Sequence, residues 1–209
     1  MTVLTNFPKV TVILRGYNYE SVRAVVRAMR GTKLQSVEIT MNSEGAIDII
    51  KKIVSEFGDE IQVGAGTVLT LEQAKACIDA NVKFILSPTM LSREILDYCT
   101  KHKVVSVPGA LSPTEIKQSL EDGANIVKIF PAARLGAKYI QDISAPLGKM
   151  PLMVVGGINA ENVEEYFKAG ASYAGIGSGI FDKQDVITCN EEALKKQIEY
   201  FETKINWGE

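Results

Sequence analysis

Lys128 stands inside the run Ile126-Val-Lys-Ile-Phe130, and Glu38 inside the run Val37-Glu-Ile-Thr40. In a strand, alternate side chains point to opposite faces. Val127 and Ile129 would therefore pack on one side and leave Lys128 on the other. Likewise Val37, Ile39 and Met41 form an apolar set opposed to Ser36, Glu38 and Thr40. If helices cover the apolar faces, both ionisable groups point inward. Burying them is costly unless they interact or react. One reading is a structural ion pair that fills the interior. The other is a nucleophilic amine served by an acid–base carboxylate. An amine of ordinary pKa, near ~10.4, must lose its proton to attack a carbonyl, and a dry interior favours that loss. The carboxylate could then move protons at the carbinolamine and at the carbon that becomes an enamine.

Two glycine clusters follow later apolar runs: Gly156-Gly157-Ile158, and Gly175-Ile-Gly177-Ser178-Gly179. Tight turns would explain glycine in both. Their place after the seventh and eighth strands fits a phosphate site built from backbone N–H groups better. Ser178 could add a hydroxyl donor. Thr67 closes Gly64-Ala-Gly-Thr67 and could meet a ligand at the mouth, or simply serve its strand. Arg15 ends the first strand at the same rim, where it could hold a carboxylate or phosphate or form a salt bridge. Metal chemistry is not expected, because the one histidine, His102, lies in the polar turn Lys101-His-Lys103. Nor does that histidine offer a partner for a nucleophilic serine or cysteine.

These residues need a scaffold that brings strand ends together. Apolar runs at Val10–Leu14, Ser36–Met41, Gln62–Val68, Phe84–Ser87, Val104–Val107, Ile126–Phe130, Leu152–Val155 and Tyr173–Gly177 read as strands. Between them, Val22, Val25, Val26 and Met29 recur at helical spacing, as do Ile50, Ile53, Val54 and Phe57. Further helices follow Pro113, Gly136 and Asn159. Asp122-Gly-Ala-Asn and Ala169-Gly-Ala-Ser repeat one joint, in which a glycine ends a helix; Arg30-Gly-Thr-Lys and Asp79-Ala-Asn-Val are looser copies. Strict alternation implies parallel strands with right-handed crossovers. No edge strand carries protecting charge or proline, which favours a closed (β/α)8 TIM barrel over an open sheet. The doubly wound alternative lacks its glycine-rich joint, since Arg15-Gly-Tyr-Asn follows the first strand. A closing helix runs from Asn190 to about Lys204, with Asn190 as its cap. Residues 1–209 read as a single α/β domain.

The bulk numbers agree. The chain has 209 residues, 46% hydrophobic and 23% charged, with a formal net charge of −2. A small excess of acid argues against a nucleic-acid partner, while a small anionic substrate needs only a few local cations. Cys77, Cys99 and Cys189 have no framework spacing; they read as small buried apolar residues in a reducing compartment. Val10–Leu14 is too short for export or for spanning a membrane, so the expected location is cytoplasmic.

Taken in order, Val37-Glu-Ile-Thr40, Gly64-Ala-Gly-Thr-Val-Leu69, Ser87-Pro88, Val107-Pro-Gly109, Lys128-Ile-Phe-Pro131 and Gly156-Gly157-Ile158 resemble a known family. It is the 2-keto-3-deoxy-6-phosphogluconate (KDPG) / 4-hydroxy-2-oxoglutarate (KHG) aldolase family, and the resemblance covers essentially the whole chain. It implies a class I pyruvate aldolase on a (β/α)8 barrel, with no cofactor and no metal. By this resemblance Lys128 is the Schiff-base lysine and Glu38 the general acid–base. Thr67 contacts the pyruvate moiety, and Gly157 with Ser178 bind phosphate. A homotrimer is implied as well. Some members carry arginine where this chain has Asn42, which makes Arg15 the candidate carboxylate anchor. The Asn42-Ser43 pair and Val154-Val155-Gly156-Gly157 are more similar to the 6-phosphogalactonate branch. Two other functions remain open. One is a phosphate-binding synthase or isomerase of the thiamine-phosphate synthase type, and the other is a non-catalytic phosphosugar-binding barrel. Neither needs a covalent imine.

Overall fold

The computed structural model describes residues 7–208. Its first half runs β1 (Val10–Leu14), α1 (Tyr19–Met29), β2 (Ser36–Thr40), α2 (Ala46–Phe57), β3 (Gln62–Gly66), α3 (Leu71–Asp79), β4 (Phe84–Leu86) and α4 (Arg93–Lys101). Then come β5 (Val105–Val107), β6 (Gly109–Ala110), α5 (Pro113–Glu121), β7 (Val127–Ile129), α6 (Lys138–Leu147) and β8 (Leu152–Val155). The chain finishes with α7 (Val163–Lys168), β9 (Tyr173–Ile176), α8 (Lys183–Ile187) and α9 (Glu191–Glu202).

Every strand pairing is parallel, in the order β5-β4-β3-β2-β1-β9-β8-β7-β6. The two edges, β5 and β6, are separated in the chain by Pro108 alone. The sheet therefore closes on itself, and the structure is a (β/α)8 barrel whose fifth strand is broken in two. Proline has no N–H to give a ladder, which accounts for the break. Before it, β5 pairs with β4; beyond it, Gly109 pairs with Lys128. The Pro108 carbonyl accepts a 2.8 Å hydrogen bond from the Lys128 N–H, so the seam is stitched at the residue of interest.

Alternation sorts the core into two layers. Val37, Ile39, Val127 and Ile129 join the outer layer between sheet and helices. Ile13, Phe84, Leu86, Met153 and Val155 fill the lumen. Phe7 closes its lower end, its ring edge-on to Phe84 and Tyr173 at centroid distances of 5.2 and 5.4 Å. The polar inward set begins above this plug.

The repeated joints behave as their sequence suggests. Gly123 and Gly170 leave their helices at φ +99° and +111°, and Asn81 takes φ +62° in the looser copy. Asn190 caps α9 by accepting from the Ala193 N–H. The short α8 was not expected, because five residues are too few to display a periodic stripe. Cys77 and Cys99 are buried, and burial pushes their thiols up to about 12 and about 11. Cys189 corrects the reading of three buried cysteines: it is only half-buried, at φ +54°, in the tight turn between α8 and α9. His102 caps the end of α4, its ring 4.3 Å from that of Tyr98.

Candidate active site

At the carboxyl ends of the strands a cavity of about 340 Å³ opens between β1, β2, β7, β8 and β9. In α/β barrels this end carries the chemistry, because the loops there can vary without disturbing the packed core. Arg15, Glu38, Lys128, Gly156, Gly157, Gly177 and Ser178 all line it. Seven of the eight residues singled out above are thus brought together.

Thr67 is the exception, since it is not part of the cavity wall. Gly64 and Gly66 share the inward set of β3, whereas Val63 and Ala65 belong to the outer layer. Thr67 lies just beyond the strand, and the chain turns there through φ +56°, so strand alternation does not extend to it. Tyr17, Phe130, Phe181 and Lys183 line the cavity without having been singled out. For Phe130 a signal existed. It lies two residues beyond Lys128, and so on the same face.

Lys128 is 4% exposed and Glu38 only 1%. Burial holds the Lys128 amine below the ordinary lysine range; the nearby Glu38 opposes that shift, and the Arg15 cation reinforces it. Burial pushes the Glu38 carboxyl above the ordinary range, against the pull of Lys128 and Arg15. Both shifts have one cause, the loss of water around a charge. The two groups make no direct ion pair, and Glu38 Oε2 has no hydrogen-bond partner. A structural pair filling the lumen would satisfy its own oxygens, so the reactive reading gains. The Lys128 Nζ stands 5.1 Å from the centre of the Phe130 ring, which walls one side of the amine.

The glycine loops come close to this pair. Gly156 and Gly157 take φ +93° and +77°. A Cβ at Gly157 would lie 2.5 Å from that of Ala133, and one at Gly156 3.1 Å from the Phe130 ring. Only residues without a side chain let the loop after β8 approach the exit of β7 so closely. Gly157, Gly177 and Ser178 are exposed on the cavity side. Among the described residues, no group of three or more His, Cys, Asp or Glu could hold a metal ion.

An amine whose pKa burial lowers, with a carboxyl on the same cavity, is the equipment of an imine-forming enzyme. By class, then, this is a Schiff-base barrel. The chain belongs to the KDPG and KHG aldolase family, whose sequence pattern matches residues 2–196. It is 34% identical over 170 residues to the 2-dehydro-3-deoxy-6-phosphogalactonate aldolase of Escherichia coli K12, covering 81% of this chain and 82% of that one. It is also 34% identical over 148 residues to the 2-dehydro-3-deoxy-phosphogluconate aldolase of Treponema pallidum, covering 70% of each. Among solved structures, the KDPG aldolase of Legionella pneumophila, with pyruvate captured as a covalent carbinolamine, superposes with a TM-score of 0.83 at 27% identity. That match covers 91% of this chain and 92% of the other. The thiamine phosphate pyrophosphorylase of Pyrococcus furiosus shares the fold alone, with a TM-score of 0.70 at 17% identity over 95% of this chain and 98% of its own.

Proposed function

We propose that this class I aldolase cleaves a 2-keto-3-deoxy-6-phospho sugar acid, of gluconate or galactonate type, to pyruvate and glyceraldehyde 3-phosphate. The single observation that carries the reading is Lys128, almost wholly buried yet lining the cavity that also holds the Glu38 carboxyl, whose Oε2 has no hydrogen-bond partner. The neutral amine attacks the C2 carbonyl, and the carbinolamine loses water to give an iminium. Glu38 takes the proton of the C4 hydroxyl as the C3–C4 bond breaks. The aldehyde leaves, and the electron pair remains as an enamine. Protonation at C3 and addition of water then release pyruvate and restore the amine. Gly156, Gly157, Gly177 and Ser178 take the phosphate, a role supported by the left-handed glycines and the exposed hydroxyl at the rim. The smaller 4-hydroxy-2-oxoglutarate would use the amine and carboxylate without the phosphate loops.

In this reading the active species is a homotrimer in the cytoplasm. Leu69, Met90 and Leu111 are exposed at 52%, 36% and 44%, just beyond β3, β4 and β6, and this apolar rim supports an assembly through that end of the barrel. No described helix is long and apolar enough to cross a membrane. Borohydride reduction in the presence of pyruvate tests the central claim. Peptide mapping should find one three-carbon adduct, on Lys128. An adduct on another lysine would remove the assignment of Lys128, and no adduct at all would favour a non-covalent phosphosugar-binding barrel.

A further inference from the structure

Arg15 directly follows β1 and lines the cavity, and among the described residues its one side-chain hydrogen-bond partner is neutral. Its Nη1 donates a 2.8 Å hydrogen bond to Asn42 Oδ1, from the loop after β1 to the loop after β2. A second link braces the same two loops: the Gly16 N–H donates to Ser43 Oγ at 2.8 Å, and Ser43 is 3.0 Å from Thr40 Oγ1. Ser43 is buried, so this brace is part of the core.

We propose that Asn42 is a positioning residue for the reaction: it fixes the Arg15 guanidinium beside Lys128 and Glu38 while leaving its positive charge unneutralised. An aspartate could make the same hydrogen bond, but it would cancel the charge. An amide orients without cancelling.

The benefit follows from the chemistry assigned above, on which this inference rests. The reaction needs a neutral amine and an ionised carboxyl at the same pH. Burial favours the first and opposes the second. A fixed cation near both opposes protonation of the amine and favours ionisation of the carboxyl, so it pushes the pair toward the reactive combination. The charges acting on Glu38 are Lys128 and Arg15, and those acting on Lys128 are Glu38 and Arg15. Lys183 lines the rim, and Tyr17 also lines it with Asp182 beside it; none of these is among the charges acting on the pair.

The test is the pH profile of imine formation, read by borohydride trapping of pyruvate on wild type, Asn42→Asp, Asn42→Ala and Arg15→Gln. Arg15→Gln should move the rising limb to higher pH and slow trapping at neutral pH roughly three- to tenfold, the range for a nearby but exposed charge. Asn42→Asp should shift the limb in the same direction with Arg15 still present. Asn42→Ala should lower the trapping rate with a smaller displacement, because the guanidinium is freed rather than neutralised. Added salt should shrink the difference between wild type and Arg15→Gln, since an exposed charge is screened. If the limb stays in place in both Asn42→Asp and Arg15→Gln while wild type is trapped on Lys128, the positioning role is wrong and the aldolase reading stands. If wild type gives no adduct on Lys128, both fall.

Discussion

Glu38 has room for its carboxyl only because residue 66 has no side chain. A Cβ at Gly66 would lie 1.4 Å from Glu38 Oε1. The clashing atom is the tip of a flexible side chain, so the barrel would survive and the carboxylate would swing away. Gly66→Ala should therefore fold normally and keep its capacity for the pyruvate adduct. Its kcat should fall by roughly two to four orders of magnitude, the size of a lost acid–base contribution. Circular dichroism with steady-state assays would check this, and a kcat near wild type would mean that Glu38 is not positioned by the space at Gly66. Period-two alternation alone was enough to select Lys128 and Glu38, because each is an ionisable residue among β-branched neighbours. The same rule, run two residues further, reaches Phe130. Asn42 could not be read this way: its role depends on which loop lies beside it, and that is decided by β1–β2 pairing rather than by local pattern.

At the scale of elements, the proposed site divides the substrate's two ends between different strands. The proposed reacting end lies at β2 and β7, and the proposed phosphate end at the loops after β8 and β9. Ser178→Asp would put a negative charge against the phosphate. Its effect should fall on KM for the phosphorylated keto-deoxy acid, leaving kcat/KM for 4-hydroxy-2-oxoglutarate and the pyruvate adduct nearly unchanged. Equal damage to both substrates would move the phosphate elsewhere. The alternation of strands and helices was legible because each helix carries a one-sided apolar stripe and most joints carry a glycine or asparagine. The break at Pro108 was not, although the proline was in plain view. A proline that ends one ladder and opens another looks, in sequence, like a loop. Only ring closure, with β5 held by β4 and Gly109 by β7, makes it part of a strand.

For the molecule as a whole, the pair proposed to do the chemistry works against stability. Glu38 has a folded pKa above its ordinary 4.5, so its contribution is fully present below that pH and is lost as pH rises through the folded value. Lys128 has a folded pKa below its ordinary 10.5, so its contribution is present above that pH and is lost as pH falls through the folded value. Around neutrality both penalties act together, softened by mutual attraction. Replacing one partner alone would leave the other without its counter-charge, and the outcome would mix two effects. The double variant Glu38→Gln/Lys128→Met removes both penalties at once. It should be inactive and more stable at pH 7 by about 1–4 kcal/mol, the range found when buried charges give way to isosteric neutral residues. In a domain of this size that is about 2–4 °C in Tm for each kcal/mol. The comparison is best made as wild type against the double variant across pH, by thermal and urea denaturation. Relative to the variant, wild type should lose stability as pH climbs above about 4.5, where Glu38 begins to ionise in the unfolded chain. It should regain stability toward pH 10.5, where unfolded lysine also loses its proton. A double variant less stable than wild type at pH 7 would show instead that the pair holds the lumen together, and the structural ion-pair reading would return.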